Sequence, residues 1–325
     1  MIATDLFDQY KGKRIAFITT KNLSYIRNSQ EIDLIGQKSK EMVIYGSEKK
    51  NYFLRIIYVW LKILFSSFRK YDIVFVGFAP QLVCPFFFWK FSQEVHIDFF
   101  ISLYDTFVND RKTCKSGSIP ARLLRYLDRR TVDIADYIIC DTKAHGEYFC
   151  AEFGAGKEKE VILYLRANAR IYYPREVIKK EELRCKYVVL YFGSILPLQG
   201  VEVILECSRL LQENKDIYFQ IIGPIKVTDC MSNIEFIPWL EEEKLAEYIA
   251  AADICLAGHF NAKIEKAKRT IPGKAYIYEA MGKTMILGEN PANRELFNED
   301  QKHLFVEMGN ARSLAEKIQE CYESR

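Results

Sequence analysis

The sequence predicts an α/β protein made of two doubly wound parallel sheets. Short, continuous apolar runs rich in Val, Ile, Phe and Tyr alternate with helical stretches, and this alternation occurs twice along the 325 residues. Continuous apolar strands between helices are typical of a parallel sheet covered on both faces. The length also favours two domains, at roughly 100–200 residues each.

The first half contains one series of predicted strands, at residues 14–19, 41–45, 72–77, 95–102, 136–140 and 160–163. A charged stretch, REVIKKEELRCK, then precedes a new strand at 187–192, and we place the domain boundary near residue 180. The domains are therefore residues 1–180 and 181–325. Two such domains in series predict a ligand site in the cleft between them.

The second half continues with strands at 217–222, 234–237, 254–256 and 284–287, and with helices at 201–211, 243–251 and 311–322. Helices between successive strands are the connections that a parallel sheet requires. The second half thus repeats the architecture of the first.

Composition excludes several classes of protein. The 46 basic and 43 acidic residues nearly cancel, which argues against nucleic acid as a partner. Nine cysteines without a Cys-x-x-Cys pair argue against a disulfide framework or a zinc site and favour small buried side chains in a reducing compartment. The N-terminus lacks the apolar segment of a secretory signal, and no run has the roughly 18 apolar residues of a membrane span.

A glycine-bracketed loop follows the strand at 187–192. Gly193 and Gly200 enclose Ser194 and Gln199, and a helix is predicted to begin directly afterwards. Backbone N–H groups of such a loop, together with a helix N-terminus, suit a phosphate. The alternative is an ordinary strand-to-helix loop.

A basic segment forms the second candidate site. Lys266, Arg269 and Lys274 cluster around Pro272, which suits the first turn of a helix. Bound anions are favoured at helix starts, so a diphosphate fits this segment. The alternative is a solvated basic loop.

The order of the motifs carries a resemblance. The runs FGSILPLQGVEVILECSRLL, FIPWL, ADICLAGHF and KAKRTIPGKAYIYEAMGKTMILGENPANREL resemble the donor-binding half of family-4 bacterial glycosyltransferases of GT-B fold. HIDFFISLYDTFVNDRK, LDRRTVDIADYIICDTKAHGEYF and YYP are similar to the first half of the same family. The resemblance covers nearly the whole chain.

The resemblance implies a retaining, metal-independent hexosyltransferase with no cofactor. It would take a nucleotide-diphosphate sugar in the C-terminal domain and a glycan or lipid-linked acceptor in the N-terminal domain. The leaving phosphate would accept the proton in a front-face displacement, so no catalytic Cys or Ser is expected. Arg269 and Lys274 would supply positive charge to the transition state. The expected donor-side residues are Gly193, Ser194, Gln199, Gly223, Trp239, His259, Glu265, Lys266 and Glu279.

Departures from the family pattern keep a second interpretation open. Ser194 and Gln199 stand where many members have Arg and Lys, and the paired glutamates should fall at Arg269 and Ile277. Glu279 is two residues beyond its expected site, roughly 200° around a helix, unless the match runs through residues 279–281. Either Arg269 and Lys274 compensate, with Glu265 or the loop from His259 contacting the sugar, or the chain is a catalytically silent subunit.

Candidate acceptor residues lie on or after the fourth and fifth strands of the first half. Asp105 is the first candidate for orienting the acceptor hydroxyl, as hydrogen-bond acceptor or base. Its alternative role is a helix N-cap or turn residue, and His145 has a structural role as its alternative. The other acceptor-side candidates are His96, Tyr104, Asp110 and Arg111.

The predicted helix at 53–70 is apolar over most of its circumference, with Arg55, Lys62, Ser66 and Arg69 on one stripe. It is interpreted either as a helix in a membrane interface or as a crossover helix buried against the sheet.

These observations favour a cytoplasmic enzyme, peripheral on the inner face of the plasma membrane, that extends a cell-surface glycan such as a capsular polysaccharide. One rival is a silent GT-B subunit that binds a glycan or steadies an active transferase, which donor hydrolysis would distinguish. Another is a nucleotide-sugar epimerase of similar build, which product analysis without acceptor would test. Related proteins usually continue with helices that cross back over the first domain. The chain, which ends at Arg325, is therefore also expected to be a shortened form.

Overall fold

A computed structural model describes residues 3–225 and 232–325. The chain divides into two compact units, Met1–Leu165 and Arg166–Arg325. Each unit holds a six-stranded sheet in its described part, and the neighbouring strands of both sheets run parallel. The two-sheet α/β fold that the sequence predicts is therefore confirmed.

Unit 1 has the strand order β2-β1-β3-β4-β5-β6. Its strands are β1 (Arg14–Ile18), β2 (Glu41–Tyr45), β3 (Ile73–Val76), β4 (Glu94–Asp98), β5 (Tyr137–Cys140) and β6 (Glu160–Ile162). Its helices are α1 (Ala3–Asp8), α2 (Ile26–Lys38), α3 (Tyr52–Phe65), α4 (Cys84–Phe87), α5 (Ile119–Ile134) and α6 (Lys143–Phe153), with a π-helical segment at Asp105–Asp110.

The sheet of unit 1 buries both faces. Ala16 and Ile18 of β1 join a core formed with α3 to α6, whereas Ile15 and Phe17 join a core formed with α1 and α2. Alternate residues of a strand point to opposite faces, so a strand covered on both sides must be apolar throughout. This explains why the strands are legible as continuous apolar runs.

Unit 2 has the strand order β12-β11-β10-β7-β8-β9. Its strands are β7 (Tyr187–Phe192), β8 (Ile217–Ile222), β9 (Ile234–Ile237), β10 (Ile254–Leu256), β11 (Met285–Gly288) and β12 (His303–Val306). Its helices are α7 (Val201–Leu210), α8 (Glu242–Ala251), α9 (Glu265–Arg269), α10 (Gly273–Ala280), α11 (Pro291–Leu296) and α12 (Ala311–Glu323). One core combines β7, β8 and β10 with α7 and α12.

The segment before β7 belongs to unit 2, so the observed division lies after Leu165 and the predicted boundary near residue 180 falls inside that unit. Lys179 explains the difference, because its Nζ lies 2.5 Å from Asp253 Oδ2 and 3.0 Å from the carbonyl oxygen of Lys186. A charged, linker-like composition here reflects ion pairing to the domain that follows.

Two further details differ from the sequence expectations. Helix α3 ends at Phe65 rather than Lys70, because Ser66 is extended (φ −100°, ψ 151°). β12 was not expected, since His303–Val306 is short and follows a charged stretch. Among the described cysteines none forms a disulfide: Cys84, Cys140, Cys207 and Cys255 are buried and Cys185 is exposed, while Cys230 lies outside the described residues.

Candidate functional site

The site in unit 2 lies where its strand order reverses. β7 and β10 are neighbours in the sheet, but the chain leaves β7 towards β8 and β9 and returns to β10 on the other side. Ligands of open α/β sheets bind outside the carboxyl ends of the strands at such a switch point. Gly193 follows β7 there, and Gly258 and His259 follow β10.

Lys274 places its ammonium group at this switch point. It is the second residue of α10, and its Nζ lies 2.5 Å from Gln199 Oε1 and 4.8 Å from the ring centre of Tyr191. The side chain is buried, with 6% of its surface exposed. A cation is thus held inside the carboxyl edge of the sheet by one amide oxygen and one aromatic face.

Two glycines make room for this side chain. Gly258 has φ +83°, and a Cβ there would lie 2.9 Å from Lys274 Nζ and would overlap Gln199 Oε1. Gly193 has φ +148°, and a Cβ there would lie 3.4 Å from Lys274 Cε. Any larger residue would be strained by its backbone and would press on the lysine. Gly223, which follows β8, packs against the carbonyl group of Gly193.

Burial lowers the pKa of Lys274 to about 7. Desolvation disfavours the charged form of the lysine. The amide oxygen of Gln199 and the ring of Tyr191 offset this desolvation only in part. A bound anion would restore the positive charge. The pocket is therefore suited to a phosphate or diphosphate group.

His259 forms the adjoining wall. Its backbone is left-handed (φ 58°), and its Nδ1 lies 2.9 Å from the carbonyl oxygen of Thr270. A carbonyl oxygen only accepts hydrogen bonds, so Nδ1 carries the proton in this contact. The backbone N–H of Phe260 donates to the carbonyl oxygen of Gln199 at 3.2 Å, which ties this loop to the loop after β7.

Residues 186–324 match the family model described as Glycosyl transferases group 1. This match lies entirely within unit 2. No curated protein sequence matches the chain.

Solved structures resemble both units. Sucrose-phosphate synthase from Thermosynechococcus elongatus is 12% identical over 96% of this chain and 90% of that chain, with a TM-score of 0.67. Anabaena HepE in complex with UDP is 12% identical with the same coverage and a TM-score of 0.61. A putative UDP-N-acetylglucosamine 2-epimerase from Listeria monocytogenes is 14% identical over 96% and 88%, with a TM-score of 0.51. At these identities the likeness establishes the GT-B fold alone.

The predicted donor-side residues of unit 2 differ in their exposure to solvent. Arg269 ends α9, five positions before Lys274, and is half-buried. Lys266 is also half-buried, whereas Glu265 is exposed and pairs with Lys268 at 2.7 Å. Ser194 is exposed in the loop after β7.

Two predicted donor-side residues of unit 2 lie apart from Lys274. Glu279 Oε2 lies 2.6 Å from Nε2 of His303, the first residue of β12. The start of a parallel strand marks the amino edge of the sheet, opposite the edge that carries Lys274. Trp239 follows the edge strand β9 and is 61% exposed.

Unit 1 buries most of the predicted acceptor-side residues. His96 lies within β4, its Nδ1 is 2.7 Å from Tyr10 Oη, and its ring packs on Tyr137 at the start of β5. That position belongs to the core and not to the carboxyl edge. Asp110 is buried and Arg111 exposed at the end of the π-helical segment.

Asp105 begins this segment and is fully buried. Its Oδ1 accepts a hydrogen bond from Asn109 Nδ2 at 3.0 Å, and Tyr148 Oη is 3.5 Å away. His145 Nδ1 lies 2.7 Å from Asp141 Oδ1, and its ring packs on Phe149 with centres 4.1 Å apart. Both side chains are held from several directions, as expected for residues that are positioned rather than mobile.

Asp128 was missed by the sequence analysis and organises the same region. It accepts hydrogen bonds from Ser102 Oγ and from the backbone N–H groups of Leu103 and Tyr104, and Gln81 Nε2 donates to it at 2.9 Å. Burial raises its pKa to about 6. A lone Asp inside a predicted helix carries no signal for this role.

A second missed cluster joins α2 to the carboxyl end of β4. Arg27 Nη2 lies 2.8 Å from Asp98 Oδ1 and its Nε lies 3.4 Å from Glu31 Oε1, with all three side chains buried. Burial and the Asp98 carboxylate raise the pKa of Glu31 well above its ordinary value. The spacing of Arg27 and Glu31 by four residues was the available signal.

Proposed function

We propose that this chain is a nucleotide-sugar-dependent, retaining hexosyltransferase. The observation that carries the proposal is the Lys274 ammonium, held beside Gln199 at the switch point of a group 1 domain. Anabaena HepE, which shares the fold, has been solved with UDP. The donor's diphosphate would contact Lys274 and the N-terminus of α10, where backbone N–H groups and the helix dipole also favour an anion.

Lys274 has a specific part in this chemistry. Negative charge grows on the diphosphate as the sugar–phosphate bond breaks, and a cation fixed beforehand stabilises that charge. The acceptor hydroxyl would attack the anomeric carbon on the face from which the phosphate leaves, and that phosphate would take the hydroxyl proton. The sugar would then be transferred with retention and without an enzyme nucleophile. Metal independence is part of the proposal, and full activity in excess EDTA is the expected result.

Nucleotide binding is the first test. UDP, GDP and dTDP are compared by thermal shift and calorimetry, because a ligand of the native state stabilises it. Lys274→Met should abolish the shift and Arg269→Ala should weaken it. Lys268→Met, which removes a lysine paired with exposed Glu265, should leave it unchanged. If no diphosphate binds the wild type, this proposal is wrong.

A catalytically silent subunit is the second candidate, and one observation favours it. Glu279 is held by His303 at the far edge of the sheet, and Ile277 stands where the family's second glutamate is expected. Such a subunit could bind UDP, yet it would neither transfer nor hydrolyse UDP-glucose. Sugar release measured with UDP-glucose, UDP-galactose and UDP-N-acetylglucosamine separates the two candidates. Conversion of one sugar nucleotide into another without acceptor would instead indicate an epimerase.

The acceptor is proposed to be a lipid-linked cell-surface glycan, reached from the cytoplasmic face of a membrane. Helix α3 supports this because it exposes its apolar side: Phe65 is 83% exposed and Phe53 is 68% exposed. Its cations instead point inward, since Arg55 donates to the carbonyl oxygen of Lys49 and Lys62 to that of Gly46. No helix in the described part of the chain is long and apolar enough to cross a bilayer.

The exposed apolar surface extends beyond α3. Trp60 packs on Phe86 at 5.1 Å, and the neighbouring Trp89 is 61% exposed. On α5, exposed Leu123 and Tyr126 are interleaved with exposed arginines, namely Arg122, Arg125 and Arg129. An apolar face bordered by cations binds the interface of an anionic membrane.

Vesicle sedimentation tests the membrane contact. The wild type should bind vesicles containing phosphatidylglycerol more strongly than vesicles of phosphatidylcholine alone. Phe53→Ser combined with Phe65→Ser should reduce binding, whereas Ile178→Ser, at a residue that is 85% exposed in unit 2, should not. Equal binding by all variants would contradict the proposed contact.

A further inference from the structure

Unit 1 has a switch point of its own. Its strand order places β1 beside β3, with β2 on the far side of β1, so the chain reverses direction across the sheet between β1 and β3. Ligands of open sheets bind outside the carboxyl ends of the strands at this position. None of the acceptor-side residues expected from the sequence comes from the loops after β1 and β3.

Three aromatic residues meet at this switch point. Tyr25 lies between β1 and α2, Phe78 follows β3 and Phe100 follows β4. Their ring centres are 5.4 Å apart for Tyr25 and Phe78, 5.8 Å for Phe78 and Phe100, and 6.4 Å for Tyr25 and Phe100. Each ring is half-buried, so each keeps part of its surface open. We call these residues the aromatic triad.

Charged groups of both signs lie around the triad. Lys21 Nζ lies 5.6 Å from the ring centre of Tyr25 and 5.3 Å from that of Phe78, and Arg27 lies 5.6 Å from that of Phe100. Two carboxylates oppose these cations: Asp98 pairs with Arg27, and Asp141, whose side chain is 19% exposed, holds His145. Glu31, which also faces Arg27, adds a third carboxyl group. The triad therefore lies in a polar setting without an excess of positive charge to attract a phosphate.

We propose that the aromatic triad binds a neutral sugar ring. One face of a pyranose presents C–H groups, which pack against the electron-rich faces of aromatic rings. Its hydroxyl groups would be available to the partly exposed carboxylate of Asp141, which acts electrostatically on Tyr25, and to the ammonium of Lys21. Assigning this sugar to the acceptor rests on the proposed transferase function, whereas the binding of the sugar does not.

The chemistry of the triad favours a sugar over the other ligands that aromatic rings accept. An alkyl chain would gain nothing from Lys21 and Asp141 and would desolvate them at a cost. A nucleotide would bring a diphosphate to a region whose carboxyl groups offset its cations. A neutral polyol with one apolar face uses both the rings and the polar groups.

Saturation-transfer NMR on the full chain tests the proposal. The probes are methyl α-D-glucopyranoside, methyl α-D-galactopyranoside, N-acetylglucosamine and n-octyl β-D-glucopyranoside. We expect saturation to pass from the protein to the pyranose-ring protons of at least one methyl glycoside or of N-acetylglucosamine. Phe78→Leu and Phe100→Leu, which keep an apolar side chain without the aromatic face, should weaken binding by a factor of about 2 to 10.

Tyr173→Leu is the matched control, because Tyr173 is an exposed aromatic residue of unit 2 that belongs neither to the triad nor to the proposed membrane surface. It should bind the probes like the wild type. UDP binding to unit 2, followed by thermal shift, should be unchanged in all three variants. Circular dichroism and thermal melting curves that match the wild type show that unit 1 is folded in each variant.

The outcomes separate this proposal from the proposed function. Ring-proton saturation that depends on the triad supports sugar binding, even if UDP does not bind and the donor proposal fails. UDP binding without triad-dependent ring saturation overturns sugar binding and leaves the donor proposal standing. Signals that the triad variants lose only from the octyl chain of octyl glucoside show an alkyl site and also overturn the proposal.

Discussion

Replacing Lys274 by Met should change the pH dependence of stability, whatever ligand the protein binds. The folded chain lowers the pKa of Lys274 from 10.5 to about 7. At about 1.4 kcal/mol for each pKa unit, keeping this lysine protonated in the fold costs about 5 kcal/mol. Methionine has a similar shape and no charge, so the variant does not bear this cost.

The sign follows from proton counts. Between the folded and unfolded pKa values the unfolded chain binds more protons, so the free energy of unfolding of the wild type rises with pH through this window. The cost is fully present below about pH 7 and is relieved as Lys274 loses its proton. Relative to Lys274→Met, the wild type should gain about 4 kcal/mol between about pH 6 and about pH 10.

Denaturant unfolding of both proteins across this pH range measures the difference, in which the titrations of all other groups cancel. The variant should also lose about 1 kcal/mol at every pH, because Gln199 Oε1 loses its donor. A difference between wild type and variant that stays constant to within about 1 kcal/mol would refute the reasoning. The lysine would then be hydrated rather than buried.

Three further predictions concern Lys274, Gly258 and the buried cluster around Arg27. UDP binding, if the donor proposal holds, should take up nearly one proton above the pKa of Lys274, so calorimetric heats should vary with the ionisation enthalpy of the buffer; heats independent of buffer would contradict this. Gly258→Ala should lower the free energy of unfolding by about 1–2 kcal/mol, because alanine disfavours a left-handed backbone. It should also weaken UDP binding at least tenfold, because the new Cβ presses on Lys274 Nζ, and an unchanged calorimetric affinity would contradict this. Arg27→Met should destabilise unit 1 by about 3–5 kcal/mol, since it leaves Asp98 buried without its cation. Glu31→Gln should cost less, because burial and the Asp98 carboxylate raise the pKa of Glu31 and so disfavour its charged form; equal losses on denaturation would count against this account.

Local sequence patterns were sufficient for most of the fold. Strands such as β7, with all six residues buried, appear as continuous apolar runs because the sheets are covered on both faces. β12 has only four residues and two of them are half-buried, so its pattern does not stand out from the charged stretch before it. The segment before β7 has the charged composition of a linker. Its Lys179 and Arg175 pair with residues far along the chain, so the sequence around them does not reveal that they belong to unit 2.

The candidate site divides in the same way. Residues 193, 199 and 274 could be recognised from the sequence because each belongs to a local motif. These motifs are a glycine loop and a helix start, whose geometry suits an anion. Their convergence was not legible, since Gln199 and Lys274 are 75 residues apart and meet only because β7 and β10 are neighbours. The same holds for the aromatic triad, whose members come from three separate loops.

The sequence by itself determined the periodicity of the elements, the two-domain plan, the anion-compatible motifs and the apolar character of α3, because each depends on residues close together in the chain. The tertiary structure decided the burial of Lys274, the pairing of Glu279 with His303 at the far edge of the sheet, and which side of α3 faces outward. Those properties depend on which strands become neighbours and on what each helix covers. Both follow from the whole chain packing its apolar surface, and no single motif contains them.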